Sequence, residues 1–256
     1  MSVPFYRIQL LFGMALAFAL GACDSTGVGN PPPGMTVTVR NDLQAEPAAT
    51  DPTVELPSAQ LRHAVLAFGE LRFIPCDATL EDVVAPGPFL VDLVTESVEP
   101  QLPAVPIPPS GFCGLDAPLT SLAPNSAQFG NSILFSGTRA DGALFILYAA
   151  MPGTLRMRPV PGIAAWDATN AASVIWAMRP WRWLTPQELD AETSEPFGVG
   201  LRVIVIDVNR HPVLYAAIRN RVGARATLHT DLNGDGKLDD NERANALIGQ
   251  GLPSLD

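Results

Sequence analysis

Between Leu61 and Val208 the chain is a succession of short apolar runs, each ended by turn residues. This pattern constrains the fold more than any other feature, because a side-chain period of two gives a strand one buried face. HAVLAFGELRFIPC (63–76) reads as a strand, with Gly69 marking a bulge. PFLVDLV (88–94), NSILFSG (131–137), ALFILYAAM (143–151), TLRMRPV (154–160) and GLRVIVIDV (200–208) read the same way, and Asp141-Gly142 fits a hairpin turn. MTVTVR (35–40) alternates and is a further strand candidate. Many short strands and little helix predict a mainly β chain, an antiparallel β-sandwich of immunoglobulin or transthyretin-like type. The proline-rich stretch between Thr95 and Pro124 reads as a long irregular crossing held by Cys113.

Two helices are legible. Thr185-Pro186-Gln187-Glu188 is a capping box with proline at the first helical position, predicting a short helix to about Glu192. HPVLYAAIRNRVG (211–223) starts at a proline and ends at a glycine, and would place Val213, Leu214, Ala217 and Ile218 on one face.

The N-terminus fixes the compartment. Arg7 precedes an apolar core, Ile8 to Ala19, which is too short to cross a bilayer. Leu20-Gly21-Ala22-Cys23 then resembles the lipobox of bacterial lipoproteins. The resemblance implies cleavage after Ala22, a diacylglycerol on Cys23 and a membrane anchor. The alternative is an ordinary export signal that happens to end at a cysteine. Asp24 resembles an inner-membrane retention signal of enteric bacteria, a rule that varies, so inner and outer membrane both stay open. With Cys23 lipidated, Cys76 and Cys113 remain as the only other cysteines, and export predicts a disulfide between them, against two reduced thiols.

Residues 1–22 read as signal peptide, 23–60 as a lipidated, largely unstructured tether, 61–210 as the β domain, and 211–256 as a helix and loop packed on it. Loss of Arg7 leaves 15 basic and 26 acidic side chains, a net of −11. That balance disfavours nucleic acid and bare anionic lipid as partners and leaves an envelope protein or polysaccharide.

The densest chemistry is DLNGDGKLDDNE (231–242), which holds the chain's only lysine. Its spacing resembles the EF-hand calcium loop. The resemblance makes Asp231, Asn233 and Asp235 oxygen donors. It puts the sharp turn at Gly236, a backbone carbonyl ligand at Lys237, a water-linked ligand at Asp239 and a bidentate one at Glu242. Leu238 would turn inward, and Asp240 and Arg243 would lie outside the shell. Crowded carboxylates repel one another without a cation, which favours Ca2+ as the cofactor; the competing reading is an acidic solvated turn. The loop departs from the family in being single and in following ARATLHT, not a continuous helix. Strand–loop–helix is therefore expected, with a structural ion that pins the C-terminal segment and not the paired loops of a sensor. Overall the chain resembles bacterial lipoproteins with a single C-terminal loop of this kind.

Other constellations are weaker. Trp176, Trp181 and Trp183 read as core residues, the last two sharing one face of a strand; a ligand-stacking platform and a partner interface are the alternatives. His63, His211 and His229 have no metal-ligand spacing, and each is a conceivable general base. Asp82 and Asp92 could form a glycosidase pair. No G-x-S-x-G, H-E-x-x-H or phosphate loop occurs. A non-catalytic envelope module is expected. An envelope hydrolase and a calcium-responsive surface protein are the alternatives.

Overall fold

The computed structural model describes residues 33–42, 60–122, 130–253 and 255. The signal peptide, Cys23 and most of the expected tether lie outside them. The first strands in chain order are β1 (Gly34–Asn41), β2 (Gln60–Pro75), β3 (Val83–Asp92), β4 (Ser97–Glu99), β5 (Val105–Pro106) and β6 (Phe112–Pro118). They are followed by β7 (Ile133–Thr138), β8 (Leu144–Ala149), β9 (Thr154–Pro159) and β10 (Ser173–Met178). After helix α1 (Pro186–Asp190) come β11 (Glu195–Pro196), β12 (Arg202–Val205), helix α2 (Pro212–Ala224), β13 (Ala226–Thr230), helix α3 (Asp240–Asn245) and β14 (Leu247–Gly251).

The molecule is mainly β, and among the described residues the strands form one 14-stranded sheet. The order is β11-β12-β8-β7-β2-β6-β9-β14-β13-β10-β1-β5, with β3 and β4 branching from β2. All pairs are antiparallel except β1 with β10 and β8 with β12. Strand β2 organises one half. Its first residues pair with β7, its last with β6, and its middle with β3. Its register shifts between Phe68 and Glu70, so the bulge expected at Gly69 is present.

The sheet curls about one core. Phe68 of β2 meets Trp176 of β10 with ring centroids 5.4 Å apart, although four strands lie between theirs in the sheet. Phe135 of β7 likewise meets Trp183, which follows β10, at 5.4 Å. Helix α2 packs on β9 and β14. It buries Leu214, Ile218 and Val222, one stripe at helical spacing. Val213, expected on that stripe, is exposed.

Two boundaries differ from the expectation. The larger of two compact units begins at Pro33, and in it β1 pairs with β10 from Thr36 to Asn41. The C-terminal residues do not pack on a finished domain, because β13 and β14 are inner strands between β9 and β10. The proline-rich crossing also contains strands, and Cys113 lies in β6.

Cys76 and Cys113 are disulfide-bonded across 37 residues. Closing a loop of that length stabilises a fold by roughly 4 kcal/mol in the chain-entropy account. Replacing both cysteines by serine is therefore expected to lower the unfolding free energy by roughly 3–4 kcal/mol, measured by denaturant titration.

Thr185 caps α1 with a full capping box, as its sequence predicts. The Glu188 of that box accepts two hydrogen bonds from the Arg221 guanidinium of α2, at 2.6 and 2.8 Å. Arg221 is the main reason that the Glu188 carboxyl is held down to about 2 from 4.5. Its folded value is depressed, so its contribution is complete above about pH 4.5 and is lost as pH falls through about 2. Solvent screening of this part-exposed pair limits it to about 1 kcal/mol. In urea melts, Glu188→Gln should therefore cost a near-constant amount above pH 5, and that cost should vanish toward pH 2.

Candidate metal centre

The 231–242 segment connects β13 to α3 and so spans two neighbouring strands of the sheet. Three Asx-type turns shape it. Asp231 Oδ1 accepts from the Gly234 N–H at 2.8 Å, Asn233 Oδ1 from Asp235 N–H at 2.9 Å, and Asp235 Oδ1 from Lys237 N–H at 2.8 Å. The Gly236 N–H donates to Asp231 Oδ2 at 3.1 Å. Gly236 has φ 66°, a left-handed conformation that favours glycine, and its open side faces Thr38 and Arg40 of β1.

Asp239 and Glu242 then cap α3. Asp239 Oδ1 accepts from the Glu242 N–H at 2.8 Å, and Glu242 Oε2 from the Asp239 N–H at 3.0 Å. Glu242 Oε1 also accepts from the Leu232 N–H at 2.9 Å, which ties the end of the loop to its start. Glu242 is fully buried and Asp231 is 9% exposed. Among the described residues, neither has a Lys or Arg at ion-pair distance. Backbone N–H groups and the Ser173 hydroxyl, 3.0 Å from Asp231 Oδ2, are their donors.

All the donors that the EF-hand resemblance names are hard oxygens, of the kind calcium takes. They are not gathered as a cage. Among the described residues, no group of three or more His, Cys, Asp or Glu side chains is placed to hold a metal ion. Asp235 and Asp239 lie on the exposed rim, and the Asn233 amide is directed at Asp239 Oδ2, at 3.4 Å. Lys237 is exposed and Leu238 half-buried. The segment therefore has Asx-type turns and buried ends, with its oxygens turned onto its own N–H groups.

The loop is anchored in part by Arg40, Asp42 and Arg179, which the sequence did not single out. Arg40 donates to the Gly236 carbonyl at 2.5 Å. Asp42, at the end of β1 and 3% exposed, accepts from Arg179 at 2.8 Å and from Arg243 of α3 at 3.0 Å. Arg243 also reaches Asp240 at 2.9 Å. One buried carboxylate thus joins the ends of β1 and β10 to the helix that closes the loop. Asp42 and Arg243 are 201 residues apart, and no local pattern signals such a pair. His229 sits behind the loop, with Nδ1 3.1 Å from the Glu242 carbonyl and Nε2 3.0 Å from Thr227 Oγ1. A carbonyl only accepts, so Nδ1 carries the proton. Burial lowers the pKa of this imidazole.

The remaining candidates disperse. Trp176 and Trp183 are fully buried, so they do not form the stacking platform considered for them. Trp181 and Trp183 do not share a strand face, because Pro180 opens a short 3-10 turn there. Trp181 is half-buried. Asp82 and Asp92 stand at opposite ends of β3, about 30 Å of extended chain apart, and cannot flank one glycosidic bond. Asp82 faces Arg72 and Asp92 closes its own turn onto Val94. His211 faces Glu192 at 2.9 Å, and His63 is exposed. No family model, curated protein or solved structure matches the chain.

Removing one partner of a buried ion pair leaves the other's charge poorly compensated. Asp42→Ala is expected to destabilise the protein by about 3 kcal/mol. Asp240→Ala, at the exposed end of the same chain of contacts, should cost less than about 0.5 kcal/mol. Chemical denaturation of the two variants measures the contrast.

Proposed function

We propose that this chain is a lipid-anchored protein of the bacterial cell envelope, acting as a non-catalytic binding or structural module braced by calcium. The carrying observation is the Cys76–Cys113 disulfide. It fits an oxidising compartment and uses both cysteines other than Cys23. Cys23 is then the one thiol left to carry lipid, where the lipobox-like LGAC predicts it. The curled sheet, with β2 and β10 meeting across the core, supports the sandwich reading of the fold.

Calcium is the brace because of how the loop ends are buried. Asp231 and Glu242 are carboxylates held in the protein with only neutral donors around them. A divalent cation would offset that charge and draw the exposed Asp235 and Asp239 inward. Asp231, Asn233, Asp235, Asp239, Glu242 and the Lys237 carbonyl would hold it. The ion's role is structural: the loop bridges β13 and β14, and its closure fixes their pairing. The affinity expected for a single, partly formed loop is on the order of 0.1–1 mM.

Two measurements test this reading. In a bacterial host fed radiolabelled fatty acid, the wild-type chain should take up label and Cys23→Ser should not; label in neither would end the anchor reading. In calorimetry of the detergent-solubilised protein, millimolar calcium should give saturable heat that Asp231→Ala abolishes. No heat from the wild type would leave the loop as an acidic turn closed by its own N–H groups.

A further inference from the structure

The β11–β12 turn concentrates exposed apolar side chains that the fold does not use. Phe197 is 65% exposed, Val199 103% and Leu201 51%. The turn is closed by the Phe197 N–H, which donates to the Leu201 carbonyl at 2.9 Å. Gly198 and Gly200 have positive φ, and nothing lies within 4 Å of where a Cβ would stand on either. The tip therefore projects clear of the protein. No charged residue occurs from Pro196 to Leu201, in a mature chain of net −11. A single exposed leucine is ordinary; three large apolar side chains within five residues on a projecting turn mark a contact surface.

The chemistry favours one occupant. A partner strand would need a row of free backbone groups. β11 has only two residues, and its Pro196 has no N–H to donate. A folded partner forming a stable interface needs roughly 800 Å2 on each side, far more than three side chains offer. A bilayer needs only an uncharged apolar wedge that reaches the boundary between headgroups and acyl chains. Glu195 and Arg202 flank the neck with opposite charges, so no net charge opposes a neutral lipid surface.

We propose that Phe197–Leu201 is a second membrane contact, inserting into the surface of the bilayer that carries the anchor. The inference rests on the reading of Cys23 as lipid-bearing. Cys23 stands ten residues before Pro33, so an acyl group there keeps the chain at the bilayer. Under that tether a weak apolar contact is intramolecular in effect, and three side chains suffice. Two points of attachment restrict how the domain is turned on the membrane, which one point cannot do.

The test uses the full acylated chain. With Cys23 acylated and Cys76–Cys113 closed, Val199→Cys provides the single reactive thiol for an environment-sensitive fluorophore. The labelled protein is reconstituted into phosphatidylcholine vesicles with or without spin-labelled phosphatidylcholine, and flotation reports the anchor. The expected result is flotation, a blue-shifted emission and quenching at least threefold greater than for the same label at Glu81→Cys, an exposed loop position. Adding Phe197→Ser and Leu201→Ser, with the circular dichroism spectrum unchanged, should reduce the quenching to the Glu81 level. Flotation without quenching overturns the tip contact and leaves the anchor standing. Absence of flotation overturns the anchor and this inference with it. A blue shift that rises with protein concentration and is not quenched by lipid assigns the tip to a second copy, and also overturns the proposal.

Discussion

The pairing of β13 with β14 holds the sheet together. In the strand order these two stand between β9 and β10, so among the described residues β10, β1 and β5 join the rest of the sheet by strand pairing only through them. The last thirty residues are thus not a tail fastened to a finished domain. They supply the middle of it, and whatever closes the connection between β13 and β14 acts on the whole sheet.

The connection is held from several sides. Trp166 donates its indole N–H to the Ile248 carbonyl at 2.9 Å, and its ring lies so close over Gly249 that a Cβ there would meet it at 2.7 Å. Gly251 and Gly223 bring β14 and α2 into similarly close backbone approach. At the other end, Asp42 joins Arg179 and Arg243, and Arg40 holds the Gly236 carbonyl. A buried carboxylate between two guanidiniums is specific in direction as well as in charge. It allows α3 only one seat against the ends of β1 and β10. Calcium at the 231–242 loop would therefore tighten an arrangement that salt bridges and backbone bonds already outline.

Local features were legible in the sequence because local chemistry creates them. The Thr185 capping box, the Asp141-Gly142 turn and the Gly69 bulge each follow from a few neighbouring residues. The disulfide followed from how few cysteines there are. Long-range pairing was not legible. LIGQG has two glycines and little strand propensity, and it becomes β14 because its glycines fit under Trp166 and against α2. The spacing of Trp181 and Trp183 suggested a strand, but Pro180 sets a 3-10 turn instead. At the candidate site the turns at Asp231, Asn233 and Asp235 are likewise local, each oxygen accepting from an N–H two or three residues on. The clamp formed by Arg40, Asp42 and Arg243 depends on contacts far apart in the chain and left no trace in any one segment.

Native-state hydrogen exchange tests the central claim most directly, because it reads the opening free energy of each strand separately. If β13 and β14 join the halves of the sheet, the amides of Ile175, Leu228 and Ile248 should exchange with the same free energy as those of β2 and β7, that of global unfolding. Should residues 226–251 open at several kcal/mol lower free energy while β1 and β10 stay protected with β2, the C-terminal segment is an appendage and this account is wrong.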